Sequence, residues 1–242
     1  KSLPENIVSG EDVQLPDRSF REIFNFVNLG KNDIFYHLGC GNGRGIMLSL
    51  KEYNVKKAVG IDNNPDKINK AKEILNQNSL SGELICENIQ NVDISEATVI
   101  LFWFTNEEII NHMMNKFKDL KQGTKIITIW GPLPDCLPEK VEFPYIINQI
   151  PFKKANSLQE QLLEIFGVKC VSFVTAWEFA ERYTKAISTP EIGNDRFLTI
   201  IQTLVIWINA RNLGISCGDK IPESIQTYID IMKTHFDIDF EH

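Results

Sequence analysis

The segment from His37 to Gly45 contains the residues best suited to bind a small molecule. Its glycines stand at alternate positions, 39, 41, 43 and 45, directly after a short apolar run and before a predicted helix. Glycine has no Cβ, so a turn of this kind lets the backbone approach a ligand closely. A dinucleotide-binding loop has the spacing GxGxxG and needs a small residue at position 44, where this chain has Arg44. The segment therefore predicts a ligand site and disfavours NAD and FAD.

A carboxylate ends the next predicted strand. Asp62 is followed by Asn63 and, further on, by a helix that begins at Pro65. At such a place a carboxylate can accept hydrogen bonds from both hydroxyls of a ribose. The structural alternative is that Asp62 forms the turn at the strand end or caps the following helix. With the glycine segment upstream, we favour the ribose role.

The predicted elements explain how these residues come together. Apolar runs alternate with amphipathic helices, an order that predicts βαβ units in a doubly wound α/β sheet with helices on both faces. The strands are 34–38, 58–62, 83–86, 98–104 and 125–130, and the helices between them are 45–53, 65–77 and 107–120. Ligands of such sheets bind at the carboxyl ends of the strands. We therefore expect the site at that edge.

The pattern becomes helical after about Pro144, and we predict domains at 1–152 and 153–242. The predicted helices are 157–166, 170–187, 195–213 and 223–236. The segment 145–152 fits either one more strand or a linker. The stretch 197–208 is apolar on nearly all sides, so it must be buried among its neighbours or against a second copy. Burial against a second copy would make the protein a homo-oligomer through its helical domain.

The GxGxG spacing looks like motif I of the class I S-adenosylmethionine (SAM)-dependent methyltransferases. With Pro16-Asp17 and the segments 97–101 and 121–127, it forms an ordered set that resembles archaeal protein-lysine methyltransferases and disruptor-of-silencing-type histone-lysine methyltransferases. The resemblance covers about residues 12–138. It implies a Rossmann-like methyltransferase sheet, SAM as the cofactor and no metal. The implied cofactor-binding residues are His37, Gly39, Cys40, Gly41, Asn42, Gly43, Asp62, Asn63, Asn88 and Ile89.

Two of these implied roles depend on the loop that follows the third strand. In the methyltransferase pattern a polar residue there meets the adenine amino group, and an apolar neighbour packs on the ring. Asn88 and Ile89 match those types. An Asn in a loop is equally common as a turn residue.

Two positions of the glycine segment depart from the family. His37 and Asn42 stand where the family usually has acidic residues. His37 either hydrogen-bonds the glycine loop or lies in the core. We expect weaker SAM binding than is normal for the family.

Methyl transfer from SAM is an in-line displacement, and the protein mainly has to place the nucleophile. An amine nucleophile must first lose a proton. The candidate catalytic residues follow strands four and five: Phe104, Thr105, Asn106 and Trp130. The rings of Phe104 and Trp130 have three alternative roles: they line a channel for a lysine stem, stack on a methylated cation, or belong to the core. Trp103 is also a candidate for the core. No general base is evident, and Asn106 and Tyr36 are the only candidates for it.

These features predict a SAM-dependent methyltransferase that acts on protein lysine. One alternative is a methyltransferase of small molecules with the helical part as a lid. Another alternative is a non-catalytic SAM-binding or interaction protein. The unusual His37 and the missing general base are the observations that suggest it.

Charge and cysteine content limit the partners. The net charge of −7 argues against bulk binding of nucleic acid or anionic membrane but is compatible with a basic protein as acceptor. The apolar stretch 197–208 is too short to span a membrane. Five widely spaced cysteines without a CxxC motif predict reduced thiols in a cytoplasmic protein rather than a disulfide or zinc framework.

Overall fold

The computed structural model describes residues 14–187, 196–218 and 223–237. The chain divides into two compact units, one of them Gln14–Ile165 and the other containing the chain from Phe166 onward. The predicted domain boundary, between residues 152 and 153, comes before this division. Residues 1–13 of the predicted first domain, and the start of the helix expected at 195, lie outside the described residues.

The first unit is built on a seven-stranded sheet in the order β3-β2-β1-β4-β5-β8-β7. The strands are β1 Ile34–Leu38, β2 Lys57–Asp62, β3 Glu83–Cys86, β4 Val99–Phe102, β5 Lys125–Ile129, β6 Cys136–Leu137, β7 Lys140–Glu142, β8 Tyr145–Gln149 and β9 Lys153–Lys154. Strands β1 to β5 pair in parallel, β8 is antiparallel to β5, and β7 is antiparallel to β8. Strands β6 and β9 form a separate pair.

Helices cover both faces of this sheet. The helices of the first unit are α1 Asp17–Val27, α2 Arg44–Lys51, α3 Pro65–Gln77, α4 Glu107–Lys118 and α5 Leu158–Phe166, the last of which ends at the division between the units. On one face Phe24 of α1 packs edge-on against Phe35 of β1. On the other face Tyr36 of β1 belongs to an apolar cluster that includes Phe117 of α4. Burial on both faces explains why these strands are continuous apolar runs.

The predicted α/β architecture is confirmed, with local differences. Strands β1 and β3 and helix α3 have the predicted bounds. Strand β4 ends at Phe102, two residues before the end of the apolar run, because Trp103 and Phe104 leave the sheet. The segment for which strand and linker were both open contains β8, which pairs with β5 within the sheet.

The second unit is helical, with α6 Phe173–Ile187, α7 Arg196–Asn212 and α8 Glu223–Phe236. Ile201 and Leu204 of α7 pack with Ile225 and Ile229 of α8. The apolar helix is thus buried among its neighbours, which is the first of the two arrangements expected for it. None of the helices in the described ranges has the length and apolar character that a membrane crossing requires. Association between copies stays a prediction.

The expectation that all cysteines are reduced thiols is wrong for one pair. Cys170 and Cys217 form a disulfide, with their Cα atoms 5.1 Å apart. Backbone pairing brings them together, because Val171 N donates to Ile215 O at 2.8 Å and Cys217 N donates to Val171 O at 2.9 Å. The partners are 47 positions apart in the sequence, and their spacing gave no sign of this contact. The other three cysteines, Cys40, Cys86 and Cys136, are free.

Candidate functional site

The loop between β1 and α2 adopts backbone conformations that favour glycine. Gly39, Gly41 and Gly43 have φ values of 77°, 54° and 76°, in the left-handed region that other residues rarely adopt. The carbonyl oxygen of Ile61 accepts hydrogen bonds from Gly39 N at 2.8 Å and from Cys40 N at 2.9 Å. These bonds fasten the loop to the end of β2. The alternation of glycines is therefore a requirement of the backbone at this place.

Asp62 connects the end of β2 to the glycine loop. Its carboxylate is 8% exposed; Oδ2 accepts from Gly41 N, and Oδ1 accepts from Asn64 N, both at 2.9 Å. Of the two structural alternatives for Asp62, the turn at the strand end is present, since Oδ1 accepts from Asn64 N two residues on. The helix cap is supplied instead by Asn64, whose Oδ1 accepts from Asp66 N at 2.9 Å. A carboxylate group has about four lone-pair sites, so these two hydrogen bonds leave about two of them unused. Asn63, which comes next, is exposed at this edge.

Two buried titratable side chains beside the loop are uncharged. His37 is 8% exposed, its ring packs edge-on against Phe20 at 5.7 Å, and burial lowers its pKa to about 4. Its Nδ1 has no hydrogen-bond partner in the described part of the chain and lies 3.1 Å from the place of a Cβ on Gly45. Of the two alternatives for His37, the structure therefore has the core position. Burial, assisted by the charge of Asp62, raises the pKa of the Cys40 thiol to about 12.

Gln14 is a loop contact that the sequence reading missed. Its Oε1 accepts from Asn42 N at 3.3 Å and lies 2.6 Å from the place where Gly41 would carry a Cβ. Arg44 reaches the same N-terminal segment through a two-pronged ion pair with Asp17, in which Nε donates to Oδ1 at 2.9 Å. This pair gives position 44 a structural role. Nothing in the local sequence around Gln14 indicated that it faces the loop.

The loop after β3, predicted to meet adenine, is a hydrogen-bonded turn. Asn88 is exposed, and its Oδ1 accepts from Gln90 N at 2.9 Å, so it has the role of a turn residue that was the alternative for it. Ile89 is 5% exposed and belongs to the core cluster. Lys116 of α4, a residue missed in the sequence, donates from Nζ to Gln90 O at 3.0 Å and to Val92 O. Burial lowers the pKa of Lys116.

A cavity of about 240 Å³ opens at the carboxyl ends of β4 and β5. Its lining consists of Phe102, Trp103, Phe104, Thr105, Ile110, Thr128, Ile129, Trp130, Gly131, Pro132 and Leu133. Three of the four candidate catalytic residues are among them. The fourth, Asn106, is absent from this lining and caps α4, since its Oδ1 accepts from Ile109 N at 3.1 Å. None of the lining side chains is an acid, a base or a thiol.

The cavity adjoins the glycine loop through Phe104. The Phe104 ring stacks on Phe102 with centroids 5.0 Å apart. Its Cζ atom lies 3.1 Å from the place of a Cβ on Gly39. A ligand on the glycine loop and a ligand in the cavity would therefore both border the Phe104 ring.

Trp130 forms a cavity wall in an unusual conformation. Its φ of 77° is rare for a bulky side chain and marks a position where strain is held in place by its surroundings. Trp130 N donates to Pro144 O at 2.7 Å, and the indole packs edge-on against Phe143 at 5.5 Å. The turn between β7 and β8 thus fixes this wall.

Tyr36, one of the two general-base candidates, lies away from the cavity. Its hydroxyl donates to Glu96 Oε1 at 2.8 Å, and Glu96 also pairs with Lys57 at the start of β2, the opposite end of that strand from Asp62. Burial and the Glu96 contact raise the pKa of Tyr36. Tyr36 is therefore not placed to remove a proton from an acceptor in the cavity.

Comparisons with known proteins agree with this geometry. The family model described as "Methyltransferase domain" matches residues 35–123. A protein-lysine N-methyltransferase of Saccharolobus islandicus (strain REY15A) is 37% identical over 121 residues, which are 48% of this chain and 73% of that protein. A carboxy-S-adenosyl-L-methionine synthase of Histophilus somni (strain 2336) is 28% identical over 79 residues, which are 31% of this chain and 32% of that protein.

Among solved structures, an RNA methyltransferase from Salinibacter ruber in complex with S-adenosyl-L-homocysteine is similar in fold. The TM-score is 0.55 with 22% sequence identity, and the match covers 60% of this chain and 99% of that chain. At this level of identity the likeness concerns the fold.

Proposed function

Since the chain belongs to the class I SAM-dependent methyltransferases, we propose that it methylates the side-chain amine of lysine in a protein. The enzyme class and the cofactor follow from the family, and the acceptor is the proposal. The observation that carries it is the uncharged, aromatic cavity next to the glycine loop.

The residues at the carboxyl edge of β1 and β2 fit SAM. Gly39 is exposed at this edge, and the glycines at positions 39, 41 and 43 bring no side chains of their own to the approach. The two unused lone-pair sites of Asp62 suit the ribose hydroxyls, and Asn88 and Asn63 present exposed amides along the same edge. When bound, SAM supplies an electrophilic methyl group.

The cavity suits a lysine side chain for two reasons. Four apolar methylene groups gain from contact with Phe104, Trp130 and their neighbours. An amine in such surroundings is also poorly hydrated, and desolvation lowers the pKa of an amine because it disfavours the charged form. The cavity would thus favour the neutral, nucleophilic amine without a general base in its lining.

In the reaction, the lone pair of the lysine nitrogen forms the new N–C bond as the C–S bond breaks. The electron pair of that bond stays on sulfur, and S-adenosylhomocysteine leaves. The methylated ammonium then returns its extra proton to solvent. In this scheme the protein aligns the two reactants, which is the main source of rate in such a displacement.

Two further facts support lysine in a protein. The relative from Saccharolobus islandicus carries the name protein-lysine N-methyltransferase. The net charge of −7 favours encounter with a basic partner.

The test is incubation with SAM labelled in its methyl group, separately with a cell lysate and with the small-molecule fraction of that lysate. We expect label in protein, and mass spectrometry should find it on lysine Nζ. Gly41→Val serves as the cofactor-deficient control. Label found only in the small-molecule fraction would replace the proposal with a small-molecule methyltransferase, and SAM binding without label in either fraction would contradict both.

A further inference from the structure

We propose that Thr128 determines which acceptors are methylated, by accepting a hydrogen bond from an N–H of the reacting nitrogen. The inference rests on the proposed amine acceptor. It implies that amines that retain an N–H are preferred to fully substituted ones.

Thr128 is the buried polar side chain of the cavity wall. The lining has two hydroxyl groups: Thr105 is exposed, whereas Thr128 is 5% exposed. The Thr128 hydroxyl oxygen has no hydrogen-bond partner within the described ranges. A buried, unpaired polar group costs stability, so this hydroxyl brings the fold no evident gain.

Asn148 reinforces the same interpretation. It is fully buried, and both its Oδ1 and its Nδ2 lack partners in the part of the chain that the structure describes. In the β5–β8 register Thr128 faces Ile146 and Asn148 faces Ile126, so Thr128 and Asn148 are diagonal neighbours on one face of the sheet. Two unsatisfied side chains therefore lie together where the apolar cavity meets the core.

The chemistry of the amine gives the hydroxyl a use. A primary amine that attacks through its lone pair has two N–H groups free to donate, a monomethylated amine has one, and a dimethylated amine has none. A hydroxyl oxygen in an otherwise apolar wall stabilises the first two and offers nothing to the third. Thr128 would therefore favour the first and second transfers over a third.

Two substitutions separate this role from a structural one. Thr128→Val preserves the shape of the side chain and removes the unpaired hydroxyl, so the unfolding temperature should stay the same or rise. Thr128→Ser keeps the hydroxyl and should retain the wild-type preference. Thr184→Val, which removes a threonine hydroxyl on α6 that is buried, unpaired among the described residues and outside the cavity lining, is the matched control.

The experiment measures kcat/KM on three synthetic peptides that contain the labelled lysine in unmodified, monomethylated and dimethylated form. Thr128→Val should reduce kcat/KM for the unmodified peptide about tenfold and leave the dimethylated peptide nearly unchanged, with the same Kd for SAM. An equal loss on all three peptides, no loss on any, or a lowered unfolding temperature would overturn the proposal.

A binding measurement keeps this test independent of the proposed function. Calorimetry compares n-butylamine with N,N-dimethylbutylamine, which stand for the lysine side chain, above pH 10 on the enzyme saturated with S-adenosylhomocysteine, which has no methyl group to transfer. Wild type should bind n-butylamine more tightly, and Thr128→Val should lose that preference. If protein lysine is not methylated, the proposed function fails, but this comparison still decides the role of Thr128. Equal selectivity of the wild type and Thr128→Val for the two amines would contradict the role proposed for Thr128.

Discussion

The two halves of the site are constructed in different ways. On the proposed cofactor side, the loop between β1 and α2 is held by hydrogen bonds to Ile61 O and to the Asp62 carboxylate, and its left-handed φ values favour glycine. On the proposed acceptor side, the cavity wall is formed by side chains that converge from β4, β5 and the segments after them. The cofactor half therefore tolerates few substitutions, whereas an apolar wall accepts many side chains of similar volume. One fold can in this way keep its cofactor and vary its acceptor.

The largest effect is expected where the cofactor half depends on the backbone. Gly41→Val places a branched residue at a φ of 54° and drives its Cβ into the Gln14 side chain. The Kd for SAM should rise about a thousandfold, roughly 4 kcal/mol, as measured by calorimetry. Gly131→Ala in the cavity lining, where a Cβ would meet nothing within 4 Å, should leave the Kd for SAM unchanged. Similar losses in both variants would mean that the two halves do not differ in tolerance.

The next effect concerns the core beneath the cofactor half. The folded-state pKa of His37, about 4, is below the unfolded value of about 6.5, so between these pH values the unfolded chain binds more protons. The contribution of His37 to the free energy of unfolding is therefore fully present above about pH 6.5. It falls by about 3 kcal/mol as the pH decreases towards 4. Urea unfolding across this range should show the loss. His37→Leu should reduce this slope, and His112→Gln, at an exposed site on α4, should not.

A smaller effect should follow from removing the carboxylate that joins loop and strand. Asp62→Ala removes the oxygen atoms that accept from Gly41 N and Asn64 N together with the proposed ribose contacts. The Kd for SAM should rise about thirtyfold, roughly 2 kcal/mol. Asp66→Ala, an exposed position on α3, is the control. An unchanged Kd would remove Asp62 from the cofactor half.

The smallest effect tests whether α4 positions the loop after β3, which is predicted to meet adenine. Lys116→Met removes the two hydrogen bonds to Gln90 O and Val92 O. The KM for SAM should rise about fivefold, roughly 1 kcal/mol, with kcat unchanged. Lys116→Arg should recover part of the loss, and Lys118→Met, at an exposed site on the same helix, should cause none. A fall in kcat instead would indicate that α4 acts on the acceptor half.

The same contrast explains how far sequence reasoning reached. The α/β sheet and the glycine loop were predictable because strand periodicity and the glycine requirement are local properties. Phe104, Thr105 and Trp130 were located from the rule that ligands bind at strand ends. Gln14 and Lys116 were not found, because their hydrogen-bond partners are distant in sequence. Thr128 was not found, because only the folded chain shows that its hydroxyl is buried at a cavity wall and unpaired within the described residues.

Two local competitions also misled the sequence reading. Asn106 was considered for catalysis, but an Asn that directly precedes a helix satisfies the free N–H groups of its first turn, and this use prevailed. The Cys170–Cys217 bond depends on the pairing of Val171 with residues 215 and 217, which no spacing rule contains.

That bond makes the helical unit sensitive to its redox surroundings. A crosslink between residues 47 positions apart shortens the freely moving chain of the unfolded state, and by loop-closure entropy this is worth about 4 kcal/mol. A reducing agent should therefore lower the melting temperature of the α6–α8 part. The Gln14–Ile165 unit, whose three cysteines are free thiols, has no such bond to lose. Reduction thus acts selectively, on the helices and not on the half of the chain that holds the glycine loop.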